Sequence, residues 1–377
     1  MNILVGITGS SSAKVSYKLV KELATRGNCV QVVFTEWGKK LYDPDSDGCY
    51  VLEAHENPSS NVKQLYPKLK MALNVHTDES EEAWWNHDKT VLHVELANWA
   101  DVMVIAPCTS NTLAKINNGI SDNLLTSIVR VFEKELYVAP AMNTKMIKKA
   151  IQEGWLHSKR YKTLWPTTKM LTCGEFGMGA MADVYDIANI VSGYKWNNLI
   201  NCSCDLYGSP WICGKDINIY NGMVFPHPGW FGSVRKHDIH AGVDLYCGPS
   251  HCVTAFEDGE IVSIGQFTGE SVGSPWWNDT EYVSVKGMSG IIVYGELYAD
   301  GRLKTGDMVK AGRHSLGQIK SPLKSLPKEY IYGHKQDMIH IELLAHDAPV
   351  NFIDMWKHEE ERPKYLKDPT VYLGCLK

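Results

Sequence analysis

The stretch Ile3-Leu4-Val5-Gly6-Ile7-Thr8-Gly9-Ser10-Ser11-Ser12 decides the fold of the first half of this chain. Residues 3–7 carry no polar side chain, as a strand covered on both faces requires. Residues 8–12 are small and mostly hydroxylated. From about 12 to 26, Val15, Leu19, Val20 and Leu23 then recur at helical spacing, and Gly27 stands where a helix ends. A buried strand, a tight polar turn and a helix are the opening unit of a parallel α/β sheet.

The same alternation continues outward. Residues 30–34, 102–106 and 136–139 are further short apolar strands, and residues 124–132 form a helical stretch between the last two. Repeated strand–helix order predicts a doubly wound parallel sheet, Rossmann-like or flavodoxin-like. Ligands in such sheets collect at the carboxyl ends of the strands, where residues 8–11, Thr35, 107–112 and 140–143 fall. The small residues of the first turn let backbone amides approach a phosphate, and the helix start adds unpaired N–H groups. No third glycine follows at the place the dinucleotide fingerprint demands, so a mononucleotide such as FMN fits this loop better than NAD.

At 377 residues the chain exceeds one ordinary core. Its character changes after about Gly193, to glycine, aromatic and β-branched residues with turn pairs such as Asp258-Gly259 and Asp300-Gly301. That pattern predicts a mainly antiparallel β domain over 229–377, behind an α/β domain at 1–193 and a linker at 194–228. Cys202, Cys204, Cys213, Cys247 and Cys252 cluster there, but their spacing matches no regular zinc pattern and they read as reduced thiols. A formal charge of −5 removes the basic footprint of a nucleic-acid binder. No run approaches the roughly 18 apolar residues of a membrane helix, and the start lacks the basic flank of a signal peptide. A soluble, cytoplasmic protein is expected.

Four further motifs follow in order: Val91-Leu92-His93-Val94-Glu95-Leu96 before Trp99-Ala100-Asp101; Ala106-Pro107-Cys108-Thr109-Ser110-Asn111-Thr112; Pro140-Ala141-Met142-Asn143; and Leu171-Thr172-Cys173-Gly174-Glu175-Phe176-Gly177 with Gly179-Ala180-Met181. Through these motifs residues 1–190 resemble the flavin-dependent cysteine decarboxylases, and within them the eukaryotic-type phosphopantothenoylcysteine decarboxylases. The resemblance implies FMN held between the subunits of a homotrimer and a small cysteine-containing substrate, 4′-phospho-N-pantothenoylcysteine, converted to 4′-phosphopantetheine in coenzyme A synthesis. It also implies a route. Loss of CO₂ leaves two electrons on the cysteine Cα; prior oxidation of the CH₂–SH arm to a thioaldehyde gives them a place to go, and the resulting enethiolate is then reduced and protonated.

Carried over residue by residue, the resemblance makes His93 the base that activates the thiol and Cys173, on a glycine-rich flap, the proton donor. Asn143 grips the substrate carboxylate, with Met142 beside it. Gly9, Ser10, Ser11, Thr35, Thr109, Ser110, Asn111, Thr112 and Ala141 line the FMN. Ile147 stands where the family has tryptophan, and Ser11-Ser12 where it commonly has Val-Ala; neither change removes a group the chemistry needs. The same flavin chemistry serves a C-terminal peptidyl cysteine, and relatives of the family bind and inhibit phosphatases, so these are the alternative readings.

His240-Ala241-Gly242-Val243-Asp244 and Met338-Ile339-His340-Ile341-Glu342, with Tyr294-Gly295 between them, resemble the zinc-binding β domain of lysostaphin-type peptidases over about 229–346. That resemblance implies zinc on His240, Asp244 and His340, with one coordination position open. Glu296 and Met338 occupy positions where those peptidases carry histidines that move protons. A binding or structural module without peptidase activity is therefore expected, with a metallopeptidase as the alternative.

Overall fold

The computed structural model describes residues 1–42, 50–53, 71–88, 91–194, 196, 229–235, 238–246, 252–275, 277–320, 338–350, 356–358 and 361–373. They divide into two compact units, Met1–Tyr194 and Lys195–Lys377.

The first unit runs β1 (Asn2–Ile7), α1 (Ser16–Thr25), β2 (Cys29–Phe34), α2 (Glu36–Leu41), β3 (Tyr50–Glu53), β4 (Met71–His76), α3 (Asp78–Asp88), α4 (Leu92–Trp99), β5 (Val102–Cys108), α5 (Ser110–Asn118), α6 (Leu124–Val131), β6 (Glu135–Pro140), α7 (Thr144–Gln152), β7 (Lys162–Thr163), β8 (Thr167–Met170), β9 (Phe176–Ala180) and α8 (Val184–Val191). Among the described residues seven strands form one sheet, in the order β3-β4-β2-β1-β5-β6-β7. Every pairing in it is parallel. All seven residues of β5 are buried, so the sheet is covered on both faces, as its unbroken apolar strands require. Helix α1 packs against α8, and α4 against α6.

Strand order reverses between β1 and β5, and the chain crosses from one half of the sheet to the other there. Thr8 ties the two strand ends together: its Oγ1 donates to the Pro107 carbonyl at 2.8 Å and accepts from the Thr109 amide at 2.9 Å. This switch point is where a doubly wound sheet leaves a crevice for a ligand. The expected helix from residue 12 begins instead as a 3-10 turn, Ser11–Val15, capped by the Ser10 hydroxyl. The stretch around His93 alternates apolar and polar residues, yet it is the helix α4. Leu92, Leu96 and Ala97 are its buried positions, the first two four apart, and period two and period 3.6 agree over so few residues.

The second unit is an antiparallel sheet: β10 (Val243–Tyr246), β11 (Cys252–Thr254), β12 (Gly259–Thr268), β13 (Thr280–Gly287), β14 (Ile291–Ala299), β15 (Met308–Val309), β16 (Ser315–Ile319), β17 (Met338–Leu344) and β18 (Leu366–Lys367). Its main path is β10-β17-β14-β13-β12-β15. Trp196, expected in the linker, is fully buried in this unit. Its ring stacks on Phe256 at 4.5 Å and on Tyr372 at 4.8 Å. Of the cysteine cluster, Cys252 is described, and its thiol donates to the Ser315 hydroxyl at 3.1 Å. Cys202, Cys204, Cys213 and Cys247 lie outside the described residues. Among the described residues no helix is long and apolar enough to cross a membrane.

Candidate active site and candidate metal centre

In the first unit a pocket of about 350 Å³ opens between the turn after β1, the turn after β6 and the β8–β9 hairpin. Ser10, Ser11, Ala141, Met142, Asn143 and Cys173 all line it. The serine turn supplies hydroxyls and the start of a helical turn. On the opposite wall, the Ser11 hydroxyl meets the Thr172 hydroxyl of the hairpin loop at 3.1 Å.

Asn143 is held by the helix it caps. Its Oδ1 accepts from the Lys145 amide at 2.8 Å at the start of α7. Only the oxygen of a carboxamide can take that bond, so the cap turns the Nδ2 donor toward the hairpin. There Nδ2 lies 3.4 Å from the Cys173 sulfur and donates to Glu175 Oε2 at 2.8 Å. The hairpin can approach this closely because it is glycine-rich. A Cβ on Gly179 would stand 2.2 Å from the Met142 carbonyl oxygen, and one on Gly177 would stand 2.4 Å from Thr144 Oγ1. Gly174, at φ +81°, makes the turn that presents Cys173 to solvent and to the pocket.

The other expected cofactor residues stand near the same strand ends without lining this pocket. A Cβ on Gly9 would meet Trp37 Cβ at 2.4 Å, so glycine there admits α2. Thr35 caps α2 by accepting from the Gly38 amide. Thr109 caps α5 through the Thr112 amide, and Thr112 is buried; Ser110 and Asn111 form the first turn of that helix. His93 also stands outside the pocket. Its Nδ1 faces Glu81 Oε1 of α3 at 2.6 Å, and Glu81 Oε2 is buried without a partner.

Glu81 and Glu175 did not stand out in the sequence. Glu81 sits in the acidic run Asp78-Glu79-Ser80-Glu81-Glu82, which reads as a solvated helix start. Only the phase of two helices, one turn of each facing the other, could have singled it out.

In the second unit, sheet register assembles three buried ligating groups. Asp244 of β10 lies opposite His340 of β17, and His340 lies opposite Gly295 of β14. His240 reaches the same point from just before β10. His240 Nε2, His340 Nδ1 and Asp244 Oδ1 stand 2.9 to 3.1 Å from one another. The outer nitrogen of each ring is committed: His240 Nδ1 donates to the Trp230 carbonyl and His340 Nε2 to Glu342 Oε1, each at 3.0 Å. With those protons outside, the inner nitrogens bring lone pairs to an anionic oxygen, the arrangement that orients imidazoles on a metal ion. The donor set therefore fits a divalent cation.

Charged neighbours surround the cluster. Arg235 pairs with Asp244 Oδ2. Burial lowers the His340 pKa, but hydrogen bonds to Asp244 and Glu342 outweigh it and push it up to about 10. Burial holds His240 down at about 4. Gly242 makes room for the cluster, since a Cβ there would stand 2.6 Å from His340 Nε2. Glu296, next to Gly295, is buried with Oε2 unpartnered. Among the described residues it is the one non-glycine with positive φ, at 63°. Burial, and then the charge of Asp244, raise its pKa to about 8.

The parallel sheet, its switch-point crevice and the serine turn place this chain in a defined class: residues 1–194 match the Flavoprotein family, and the chain belongs to it. Within that family it is similar to the phosphopantothenoylcysteine decarboxylase of Mus musculus, 35% identical over 192 residues, which are 49% of this chain and 82% of that protein. A probable phosphopantothenoylcysteine decarboxylase of Arabidopsis thaliana is 47% identical over 123 residues, 31% of this chain and 61% of the relative. Phosphopantothenoylcysteine decarboxylase HAL3 of Malus domestica is 47% identical over 115 residues, and there the match spans 54% of the relative's length. Among solved structures, a variant PPC decarboxylase complexed with pantothenoylaminoethenethiol is 34% identical over 51% of this chain and 96% of its own, with a TM-score of 0.42.

Proposed function

We propose that the first unit is an FMN-dependent decarboxylase that converts 4′-phospho-N-pantothenoylcysteine to 4′-phosphopantetheine. The observation that carries this reading is the meeting of the Asn143 amide and the Cys173 thiol, 3.4 Å apart, in a pocket that the serine turn also lines. A carboxylate clamp beside a proton donor is what loss of CO₂ followed by protonation of a carbon needs. Names of the relatives in the same family support the substrate, and the serine turn suits the phosphate of FMN. When bound, the flavin supplies the electron sink and source for the thiol arm.

The chain's own residues divide the remaining work. Asn143 Nδ2 binds the substrate carboxylate and keeps it turned away from the thiol. Cys173 delivers a proton from the flap. His93, with Nδ1 bound to Glu81, offers Nε2 as the base for the substrate thiol. His93 does not line the described pocket that Cys173 lines, which supports a homo-oligomer, a trimer in our reading, where His93 of a neighbouring copy completes the site. Peptidyl cysteine is the competing substrate. Purified protein should be yellow, should release FMN on denaturation, and should release CO₂ faster from the phosphopantothenoyl substrate than from a peptide ending in cysteine. A colourless protein that does not take up FMN would end this reading.

For the second unit we propose a zinc-binding module of the lysostaphin-type β fold that lacks peptidase activity. The convergence of His240, Asp244 and His340 with both outer ring nitrogens tied supports the ion. Glu296 in place of a proton-carrying histidine supports the loss of hydrolysis. Metal analysis of the purified chain tests the first statement, and incubation with glycine-rich peptides tests the second.

A further inference from the structure

The pocket's carboxylate clamp is already holding a carboxylate. Asn143 Nδ2, fixed outward by the α7 cap, donates to Glu175 Oε2 at 2.8 Å. Lys145 Nζ stands 3.5 Å from the other oxygen, Oε1. The Asn143 amide, and then the Lys145 charge, hold the Glu175 carboxyl below the usual carboxylate range, so the side chain is an anion at neutral pH. Glu175 is two residues from Cys173 in the same five-residue hairpin loop, whose ends close through Leu171 N to Glu175 O at 2.9 Å. A side chain that leaves Asn143 therefore moves on the same loop as the thiol beside it.

Both N–H groups of the Asn143 amide are engaged, one by Glu175 Oε2 and the other by the Cys173 sulfur, and a second carboxylate brought to Nδ2 would stand against the Glu175 anion. A ligand that brings a carboxylate to Asn143 therefore competes with Glu175 for the amide. A ligand without one has no such competition to overcome.

We propose that Glu175 is a built-in competitor for the carboxylate clamp: it latches the flap to Asn143 in the ligand-free protein and gives way to the substrate's carboxylate. The proposal rests on the decarboxylase reading of this pocket. The latch also resets itself. Once the carboxylate has left as CO₂, the product no longer occupies the amide, and Glu175 returns to it and latches the flap again. Glu175 is a gating residue in this scheme and exchanges no proton or electron with the substrate.

The test compares wild type with Glu175→Ala on FMN-loaded full-length protein, with 4′-phospho-N-pantothenoylcysteine as substrate and 4′-phosphopantetheine as competing product. Loss of an exposed, charge-assisted hydrogen bond should lower KM about three- to tenfold. The inhibition constant of the product, which lacks a carboxylate, should change by less than about twofold. Amide exchange in residues 171–177 of the ligand-free protein should quicken in the variant. An unchanged or raised KM in a variant whose wild type turns over overturns the latch, and so does an equal tightening of substrate and product. Wild-type protein that binds FMN yet releases no CO₂ overturns the decarboxylase reading instead, while the exchange measurement still reports whether Glu175 holds the loop.

Discussion

His93 Nδ1 lies 2.6 Å from Glu81 Oε1, across the contact between α4 and α3. A carboxylate only accepts, so the proton of a neutral His93 ring sits on Nδ1 and the lone pair on Nε2 points away from Glu81. The relationship fixes the orientation and tautomer of a half-buried histidine, as the base role proposed for it requires.

Replacing Glu81 by Gln keeps the size of the side chain but lets the amide either donate or accept, so the tautomer is no longer imposed. We expect kcat to fall about ten- to a hundredfold with KM within about twofold, and FMN content to be unchanged. Glu81→Asp should recover part of the loss. Nitrogen chemical shifts of the His93 ring would show directly whether the tautomer has become mixed.

Cys173→Ser replaces the exposed thiol of the flap with a much weaker acid. The variant should keep its flavin and release CO₂ once, then stall with an oxidised, decarboxylated product in place. Mass spectrometry of the released ligand checks this; full turnover by the serine variant would remove Cys173 from the proton-donor role.

Asn143→Asp separates the two jobs of that side chain. An aspartate still caps α7 by accepting from the Lys145 amide, so stability should change by less than about 1 kcal/mol. It has no donor for a carboxylate and repels one, so KM should rise at least about tenfold. Thermal unfolding and steady-state kinetics on the same preparation distinguish the cap from the clamp.

Glu257 gives the second unit a pH dependence whose sign is fixed. Burial raises its pKa from 4.5 to about 7, against the opposing hydrogen bonds from the Ser289 hydroxyl and amide. The folded state therefore holds a proton that the unfolded chain releases from pH 4.5 upward, and stability falls as pH rises from 4.5 to about 7. The whole effect is about 3 to 4 kcal/mol. Glu257→Gln cannot ionise, so the stability difference between variant and wild type, measured by urea unfolding at pH 5 and pH 8, should move in the variant's favour at the higher pH.

Gly242→Ala places a Cβ 2.5 Å from the Ile341 carbonyl oxygen and 2.6 Å from His340 Nε2. The His340 ring must shift, and its bond to Glu342 must weaken. Zinc affinity, read by competition with a chromophoric chelator, should drop about ten- to a hundredfold. Equal affinity in variant and wild type would mean that His340 is not a ligand.

Much of this protein was determined by its sequence alone. An apolar run at residues 3–7 belongs in the middle of a covered sheet, and the small hydroxylated residues behind it form a tight polar turn. The motif around Asn143 and the loop around Cys173 each carry their chemistry within a few neighbouring residues, and the turns of the β domain are written in pairs such as Asp258-Gly259. His240, Asp244 and His340 were legible as a set through resemblance, but the reason they meet was not: it is the register of β10 on β17, which sequence spacing does not encode. Glu81 and Glu175 belong to the tertiary structure entirely. Both are acids in polar surroundings, indistinguishable from solvated ones until a helix phase and a hairpin turn bring each within 3 Å of one particular donor. Local pattern specifies what a segment becomes because backbone hydrogen bonds and burial act over a few residues; which side chains then share a proton or a ligand depends on contacts between segments far apart in the chain, and only the folded packing decides those.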